Sequence, residues 1–371
     1  MGFIFRVGCE DLFIRLESAD TLGMERGMDS TVVGAITTVI GKLIDFLTSF
    51  NQTRRTRKLL RPYYDKELVK KIAVSKKVSE SYLWGVLDKI GLEIIENRED
   101  KALVLLEESA DRFIEFKTKI DNLPESYQRI SNLRKKAYWR LNNGSFDKVE
   151  KIYLKAVNRV TDESEKAATL ACFAEFEMLQ PNPASYRKAA NNYAQAADYV
   201  ADLDTKQTLE YRFNQAKTLY ELGDEFGDNA ALLKAVKQYK QLLSKINRTD
   251  DSELWATTQN NLGTALQSLG ERESDTARLE EAVTAYREAL KEYTRERVPL
   301  DWAMTQNNLG TALKTLGERE SGTARLEEAA KAFRNALEIF RDNAPYYEEI
   351  TANSLARVKA LIDERKKTPA P

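Results

Sequence analysis

The chain has 371 residues, of which 42% are hydrophobic and 31% charged, and its formal net charge of -1 gives no overall attraction to nucleic acid or membranes. It contains no histidine, the commonest general base and transition-metal ligand, so its composition disfavours an enzyme. The sequence predicts no catalytic residue, no metal site and no cofactor. Its two cysteines, Cys9 and Cys172, form no disulfide framework and fit a reducing, cytoplasmic location.

Residues 1–28 contain short apolar runs but no cleavage site for a secretory signal. They are predicted to be a disordered or poorly ordered extension, with Met28 as an alternative start of the protein. Residues 29–122 show no repeat and are predicted to form an N-terminal helical region. Further helices are expected there over about 64–96 and 98–120.

The first helix of this region is predicted over 30–50, because apolar residues from Val32 onward recur at helical spacing and form one stripe. Lys42 and Asp45 in the middle of that helix argue against a membrane-spanning segment. A basic segment follows, with ten Lys or Arg and two acidic residues between positions 51 and 78.

Three interpretations of the stripe and the basic segment remain open. The helix packs into a bundle with a solvated basic flank, or both segments bind an anionic membrane surface, or the basic residues bind nucleic-acid phosphates. Nucleic acid is disfavoured, because only Tyr63 and Tyr64 supply aromatic rings among the basic residues. The membrane interpretation predicts these contact residues: Val32, Ile36, Val39, Ile40, Leu43, Leu47, Arg54, Arg55, Arg57 and Lys58.

An internal repeat dominates the second half of the chain. Residues 255–290 and 302–337 are identical at 28 of 36 positions, with an offset of 47 residues. The same offset separates Gly223, Gly270 and Gly317. Within each unit, apolar residues at helical spacing predict two helices, and neither helix can bury its stripe alone. Stacking of such pairs predicts a solenoid.

The motif Leu262-Gly263, Ala282, Tyr286 and Ala289 resembles the tetratricopeptide repeat, which has Leu-Gly followed by small, aromatic and small residues. The unit is longer than 34 residues, and this resembles the long-helix variant known from kinesin light chains and bacterial tandem arrays. The resemblance implies an all-α fold, an α-solenoid of stacked helix-turn-helix units preceded by the small N-terminal region.

About five units are predicted over 123–344, and the 47-residue period is clearest in 208–344. The two upstream units are degenerate and carry weaker versions of the small–aromatic–small triplet around Tyr153 and Tyr193. A capping helix is predicted over 345–365, and a tail over 366–371.

The resemblance implies that the first helices line a concave groove, which holds an extended or helical segment of another protein. Side-chain amides in that groove could bind a backbone of any sequence, because each has both a donor and an acceptor. Few groove positions are basic, so a clamp for a terminal carboxylate is disfavoured. The predicted peptide-binding residues are Asn214, Lys217, Asn260, Asn261, Thr264, Gln267, Asn307, Asn308, Thr311 and Lys314.

Two alternatives stay open at this point. In the first, the Asn-Asn pairs belong to the repeat consensus, and one member of each pair makes a helix-to-helix contact. In the second, the predicted scaffold is instead a membrane-associated effector or anchor. That protein would use the amphipathic helix 30–50 and the basic run 54–77, would sit peripherally at the membrane, and would recruit a partner through the repeats. The oligomeric state is not predicted.

Overall fold

A computed structural model gives the fold of the protein, and it describes residues 3–7, 10–14, 66–87, 89, 99–121 and 128–367. The chain divides into two compact units, Met1–Tyr63 and Tyr64–Pro371. The second unit therefore begins ahead of the boundary that the sequence predicts after residue 122.

The described part of the first unit is an antiparallel pair of strands, β1 (Phe3–Val7) and β2 (Glu10–Ile14). Phe3 lies opposite Ile14, and Val7 lies opposite Glu10. The sequence interpretation had no secondary structure in residues 1–28, although aromatic and β-branched residues of these segments favour strands. The predicted helix 30–50 and the membrane-contact residues from Val32 to Lys58 lie outside the described residues.

The described residues of the second unit form only helices, which confirms the predicted all-α solenoid. The helices pack mainly against their neighbours in the chain, and α4 to α13 form five successive pairs. They are α1 (Lys66–Lys76), α2 (Glu80–Leu87), α3 (Glu99–Asp121), α4 (Gln128–Asn142), α5 (Phe146–Arg159), α6 (Glu163–Met178), α7 (Pro183–Tyr199), α8 (Thr205–Phe226), α9 (Asn229–Leu243), α10 (Ser252–Arg272), α11 (Ala277–Ala289), α12 (Pro299–Arg319), α13 (Ala324–Asn343) and α14 (Pro345–Lys367).

The helix predicted over 64–96 is interrupted, and the prediction of one continuous helix there was wrong. Lys77 has a φ of 54°, and Val78 N–H donates to the Ala73 carbonyl at 3.0 Å, which is the hydrogen bond of a left-handed C-terminal cap. Ser79 then accepts from Tyr82 N–H at 3.1 Å and begins α2. A capping serine two residues after a left-handed lysine is a weak sequence signal, so periodicity alone missed the break.

Glycine allows the two helices of a repeat to approach closely. A Cβ on Gly263 would lie 2.7 Å from the Tyr286 ring, and one on Gly310 would lie 2.8 Å from the Phe333 ring. Both rings are 0% exposed. The Leu-Gly and aromatic positions of the repeat therefore form one joint, in which a ring of the second helix fills the space that the glycine of the first helix leaves open.

Successive units are also joined by an arginine near the end of each first helix. Arg272 donates to the Gly223 carbonyl at 3.1 Å, and Arg319 donates to the Gly270 carbonyl at 2.9 Å. The same guanidinium of Arg319 also donates to the Asp275 carbonyl at 2.7 Å. Carbonyls at the end of a helix have no partner within that helix, so each arginine supplies the missing donors and fixes the spacing between units.

Helix α14 continues this pattern and occupies the position of a first helix in the stack. Arg365 donates to the Gly317 and Gly322 carbonyls at 2.7 and 2.6 Å, as Arg319 does one unit earlier. On α12, the face that the second helix α13 covers includes the buried residues Leu313 and Gly317. At the corresponding positions, α14 has the exposed residues Lys359 and Asp363. The face of α14 that corresponds to the covered face of α12 therefore carries charged side chains.

Candidate peptide-binding groove

The first helices of successive units, α8, α10, α12 and α14, contact one another directly. Ser268 on α10 donates to Asp224 on α8 at 2.9 Å, and Thr351 on α14 donates to Asn307 on α12 at 2.9 Å. Second helices of successive units meet mainly through long charged side chains, such as Lys240 and Glu281. The first helices therefore form one continuous surface, and this surface carries the ten predicted peptide-binding residues.

The paired asparagines take part in the interface between successive units. Asn260 Oδ1 accepts from Thr305 Oγ1 at 3.2 Å and from Asn308 Nδ2 at 3.3 Å, and both donors lie on the next first helix. Asn307 Oδ1 accepts from Thr351 in the same way. The earlier member of each pair thus accepts hydrogen bonds across the interface between units. Asn308, a later member, donates one of these bonds, and Asn261 Oδ1 accepts from Asn260 Nδ2 at 3.3 Å within its own pair. Both later members are half-buried on the same surface.

Groove positions one turn further on are held by the aromatic residue of the second helix. The Tyr286 hydroxyl bonds to Gln267 Oε1 at 3.0 Å and to Thr264 Oγ1 at 3.3 Å. The next unit has Phe333 at this position, so Thr311 and Lys314 have no hydroxyl opposite them. The two units therefore present different surfaces, with a fixed amide in one and a lysine in the other.

We expect Tyr286→Phe to lower the free energy of unfolding by about 0.5–1.5 kcal/mol, because it removes one hydroxyl with two hydrogen-bond partners. Tyr153→Phe is the matched control, since the Tyr153 hydroxyl is buried without a hydrogen-bond partner among the described residues. Its removal should leave stability unchanged or raise it. Urea unfolding of both variants measures the difference, and equal losses would show that the Tyr286 hydrogen bonds contribute nothing.

The other end of the predicted groove contains a cavity of about 150 Å³, and Asn214 and Lys217 lie in its wall. Arg112 of α3, Glu175 of α6 and Glu221 of α8 are also in the wall. Asn214 is 47 residues before Asn261, and both are half-buried on first helices. Here the surface is lined by charged side chains, so the neutral, amide-lined groove predicted from the sequence does not extend over the whole array.

Arg112 connects α3 to the repeat helices. Its guanidinium donates to Glu225 Oε1 at 2.6 Å, to the Met178 carbonyl at 3.4 Å and to the Tyr186 hydroxyl. The Tyr186 hydroxyl in turn donates to Glu225 Oε2 at 2.9 Å. Burial opposes the charge of Arg112, but Tyr186 and Glu225 outweigh it and raise the pKa of the guanidinium. Sequence reasoning missed this cluster, because Arg112 is 74 residues from Tyr186 and 113 residues from Glu225, and the three share no motif.

Glu221 gives the cavity an acidic wall. Burial raises the pKa of its carboxyl above the usual range, and Arg112 and Lys217 partly oppose that effect. Lys217 lies 3.8 Å from Glu221 and is 56% exposed. The cavity therefore combines a partly desolvated carboxyl with a solvent-facing ammonium, an arrangement that can bind polar or charged side chains of a ligand.

Within the described residues, no three His, Cys, Asp or Glu side chains are grouped so as to hold a metal ion. None of the described helices is long and apolar enough to cross a membrane.

Comparison with known proteins gives one family match. The family model described as tetratricopeptide repeat matches residues 255–292, which cover most of α10, the following turn and all of α11. No curated protein matches the chain. Among solved structures, the crystal structure of BtubC (BKLC) from P. vanneervenii is similar at 18% sequence identity with a TM-score of 0.43. The match covers 64% of this chain and 93% of that one. The chain therefore contains a tetratricopeptide repeat over residues 255–292, and a close copy of that unit follows 47 residues later.

Proposed function

We propose that the protein is a non-catalytic interaction scaffold, and that it holds a segment of another protein along the surface of α8, α10 and α12. The observation that carries the proposal is the register of Asn214, Asn261 and Asn308. These three amides recur every 47 residues on consecutive first helices, and all three are half-buried. Evenly spaced amides can bond to peptide groups at regular intervals along a bound backbone.

The bonds between units support this role by holding the amides in place. Asn260 and Asn307 fix each first helix to the next one through hydrogen bonds to threonines. Such fixed spacing reduces the entropy that the surface loses when a ligand binds. The cavity beside Lys217 and Glu221 would then receive a polar or charged side chain at one end of the bound segment.

The alternative function, a membrane-associated effector or anchor, remains a prediction from the sequence. The helix 30–50 and residues 54–65 of the basic run lie outside the described residues.

Affinity capture from the source-cell lysate tests the scaffold, using the wild type and the triple variant Asn214→Ala, Asn261→Ala, Asn308→Ala. The matched control is Lys237→Ala, Thr284→Ala, Lys331→Ala, three exposed positions that also recur every 47 residues but lie on the second helices. Circular dichroism first verifies that both variants are folded. We expect the amide variant to retain its partner at least about tenfold less well, because three hydrogen bonds are lost at about 0.5–1.5 kcal/mol each.

The control variant should retain the partner at the wild-type level. Equal capture by all three proteins would mean that the asparagines have a structural role only. Loss in the control variant alone would place the binding surface on the second helices.

A further inference from the structure

The helical pair α4–α5 has a charge unlike that of the later repeats. Residues 128–160 contain nine Lys or Arg and two acidic residues, a balance of +7. The equivalent pair over 252–289 contains three Lys or Arg and seven acidic residues, a balance of -4. The chain as a whole has a net charge of -1, so this basic character is local.

Both acidic residues of α4–α5 are already paired with cations from neighbouring elements. Asp147 lies 2.8 Å from Lys89, and Glu150 lies 2.7 Å from Lys188 of α7. Two of the basic residues of α4 are compensated as well, since Arg129 pairs with Glu165 and Arg134 with Glu175 of α6. The positive charge without an ion-pair partner in this pair of helices therefore includes the four exposed basic residues of α5.

Four of these basic residues lie on one face of α5, at positions i, i+3, i+7 and i+11, and we call them the basic stripe: Lys148, Lys151, Lys155 and Arg159. All four are exposed, and none forms an ion pair with another described residue. The opposite face of α5, with Val149 and Tyr153, is buried in the array. The stripe extends over roughly 16 Å, from eleven residues at the helical rise.

The second helices of later units use their basic residues differently. Lys240 of α9 pairs with Glu281 of α11 at 2.6 Å, and Arg287 of α11 pairs with Glu328 of α13. These ion pairs join consecutive units. Because each is exposed to solvent, it stabilises the folded protein by at most about 1 kcal/mol. The basic stripe makes no such pairs, so its four charges are available to a partner.

An apolar cavity lies at the Arg159 end of the stripe. It has a volume of about 330 Å³ and lies between α4, α5 and α6. Leu133, Ala156 and Val160 supply apolar walls, and Lys136 and Arg159 supply positive charge at its edge. A short peptide can bind such a surface in two ways at once. Its acidic side chains pair with the line of basic residues, and one apolar side chain enters the cavity at the end of that line.

We propose that the basic stripe and this cavity bind an acidic segment of a partner protein. Its carboxylates lie along Lys148, Lys151 and Lys155, and an apolar side chain enters the cavity beside Arg159. About five extended residues of the segment match the length of the stripe. A polypeptide fits better than a nucleic acid, which has no apolar side chain for the cavity, or a membrane, which needs a planar array of charges. The stripe is on a second helix, so it is separate from the proposed groove and independent of it.

Fluorescence anisotropy with a labelled twelve-residue peptide tests the proposal on the full chain. The peptide carries one leucine followed by alternating glutamate and serine, and it is compared with a peptide that has glutamine in place of each glutamate. We expect Lys151→Glu, Lys155→Glu to weaken binding of the acidic peptide by about tenfold or more at 50 mM salt. Lys234→Glu, Lys237→Glu is the matched control on α9, and it should change binding less than about twofold.

Replacing the peptide leucine by glycine should weaken binding as well, because the cavity then stays empty. Two results would overturn the proposal. One is equal affinity for the acidic and the glutamine peptides. The other is a wild type that does not bind the acidic peptide but does bind phosphatidylserine vesicles or a twenty-nucleotide oligouridylate. In that case the Lys151→Glu, Lys155→Glu variant would lose the binding of vesicles or oligonucleotide.

Discussion

Phe333→Ala is expected to lower the free energy of unfolding by about 3–5 kcal/mol, the usual cost of removing a fully buried aromatic ring from a core. The ring is 0% exposed and lies against Gly310, where no side chain can move in to fill the space. Contacts in a repeat array are mostly between neighbours, so the loss should be concentrated in α12, α13 and α14. Urea unfolding measures the total loss, and hydrogen exchange locates it.

Tyr346→Ala provides the control for this prediction, since it also removes an aromatic ring from the last helices but at a position that is 72% exposed. It should change stability by less than about 0.5 kcal/mol. Gly310→Ala tests the same joint from the other side, because the new methyl group would clash with the ring. We expect this substitution to be destabilising alone and less so together with Phe333→Leu. Additive effects of the two changes would contradict the description of the joint.

Glu177→Gln should make the protein more stable above neutral pH. Burial raises the pKa of the Glu177 carboxyl to about 7, while Lys188 and Ser185 oppose that shift and Glu150 adds to it. Oε1 of the carboxylate is buried without a hydrogen-bond partner among the described residues, and Lys188 is 3.9 Å from it. The charged form is therefore poorly solvated in the folded protein.

The sign of the pH dependence follows from the direction of this shift. Between the unfolded pKa of 4.5 and the folded pKa of about 7, the folded state binds the proton and the unfolded state does not. Stability therefore falls as pH rises through this window, by an amount on the order of 2–3 kcal/mol for this single group. The glutamine variant should lose this dependence and exceed the wild type at pH 8 while matching it at pH 4.5.

Glu163→Gln on the same helix is the control, because Glu163 is exposed at the start of α6. Its pH dependence should parallel that of the wild type. Denaturant unfolding at half-unit steps from pH 4.5 to 8 compares the three proteins. A constant difference between wild type and Glu177→Gln across that range would mean that the Glu177 carboxyl does not titrate there.

The repeat could be predicted from the sequence because each structural requirement recurs at a fixed offset. At both Gly263 and Gly310 a ring from the facing helix occupies the space that a side chain would take. This constraint appears in the sequence as Leu-Gly followed by an aromatic residue 23 positions after the glycine. The helix over 345–365 was predicted only as a capping helix with a charged face. Its register in the stack was not predicted, because only Thr351 and Arg365 mark it.

Other features depend on contacts between distant positions and left no repeated signal. Arg112 is bound by Tyr186 and Glu225, and neither residue is recognisable as its partner from spacing or composition. The different contacts of Asn260 and Asn261 could not be predicted either, because adjacent asparagines are equivalent in sequence. Only the structure shows that Asn260 accepts a hydrogen bond from the next first helix. Burial of Glu177 likewise follows from packing between α6 and α7 and not from its local sequence.

Site-specific photocrosslinking in the source cells tests the central claim most directly. A photoreactive phenylalanine would replace Lys217 or Lys314 on the first helices in two variants, and Lys331 on a second helix in a third. The account predicts that the first two variants crosslink to the same partner protein and that both crosslinks disappear when Asn214, Asn261 and Asn308 are changed to alanine. A partner that crosslinks from position 331 and not from 217 or 314 would contradict it, because the bound segment would then lie outside the groove.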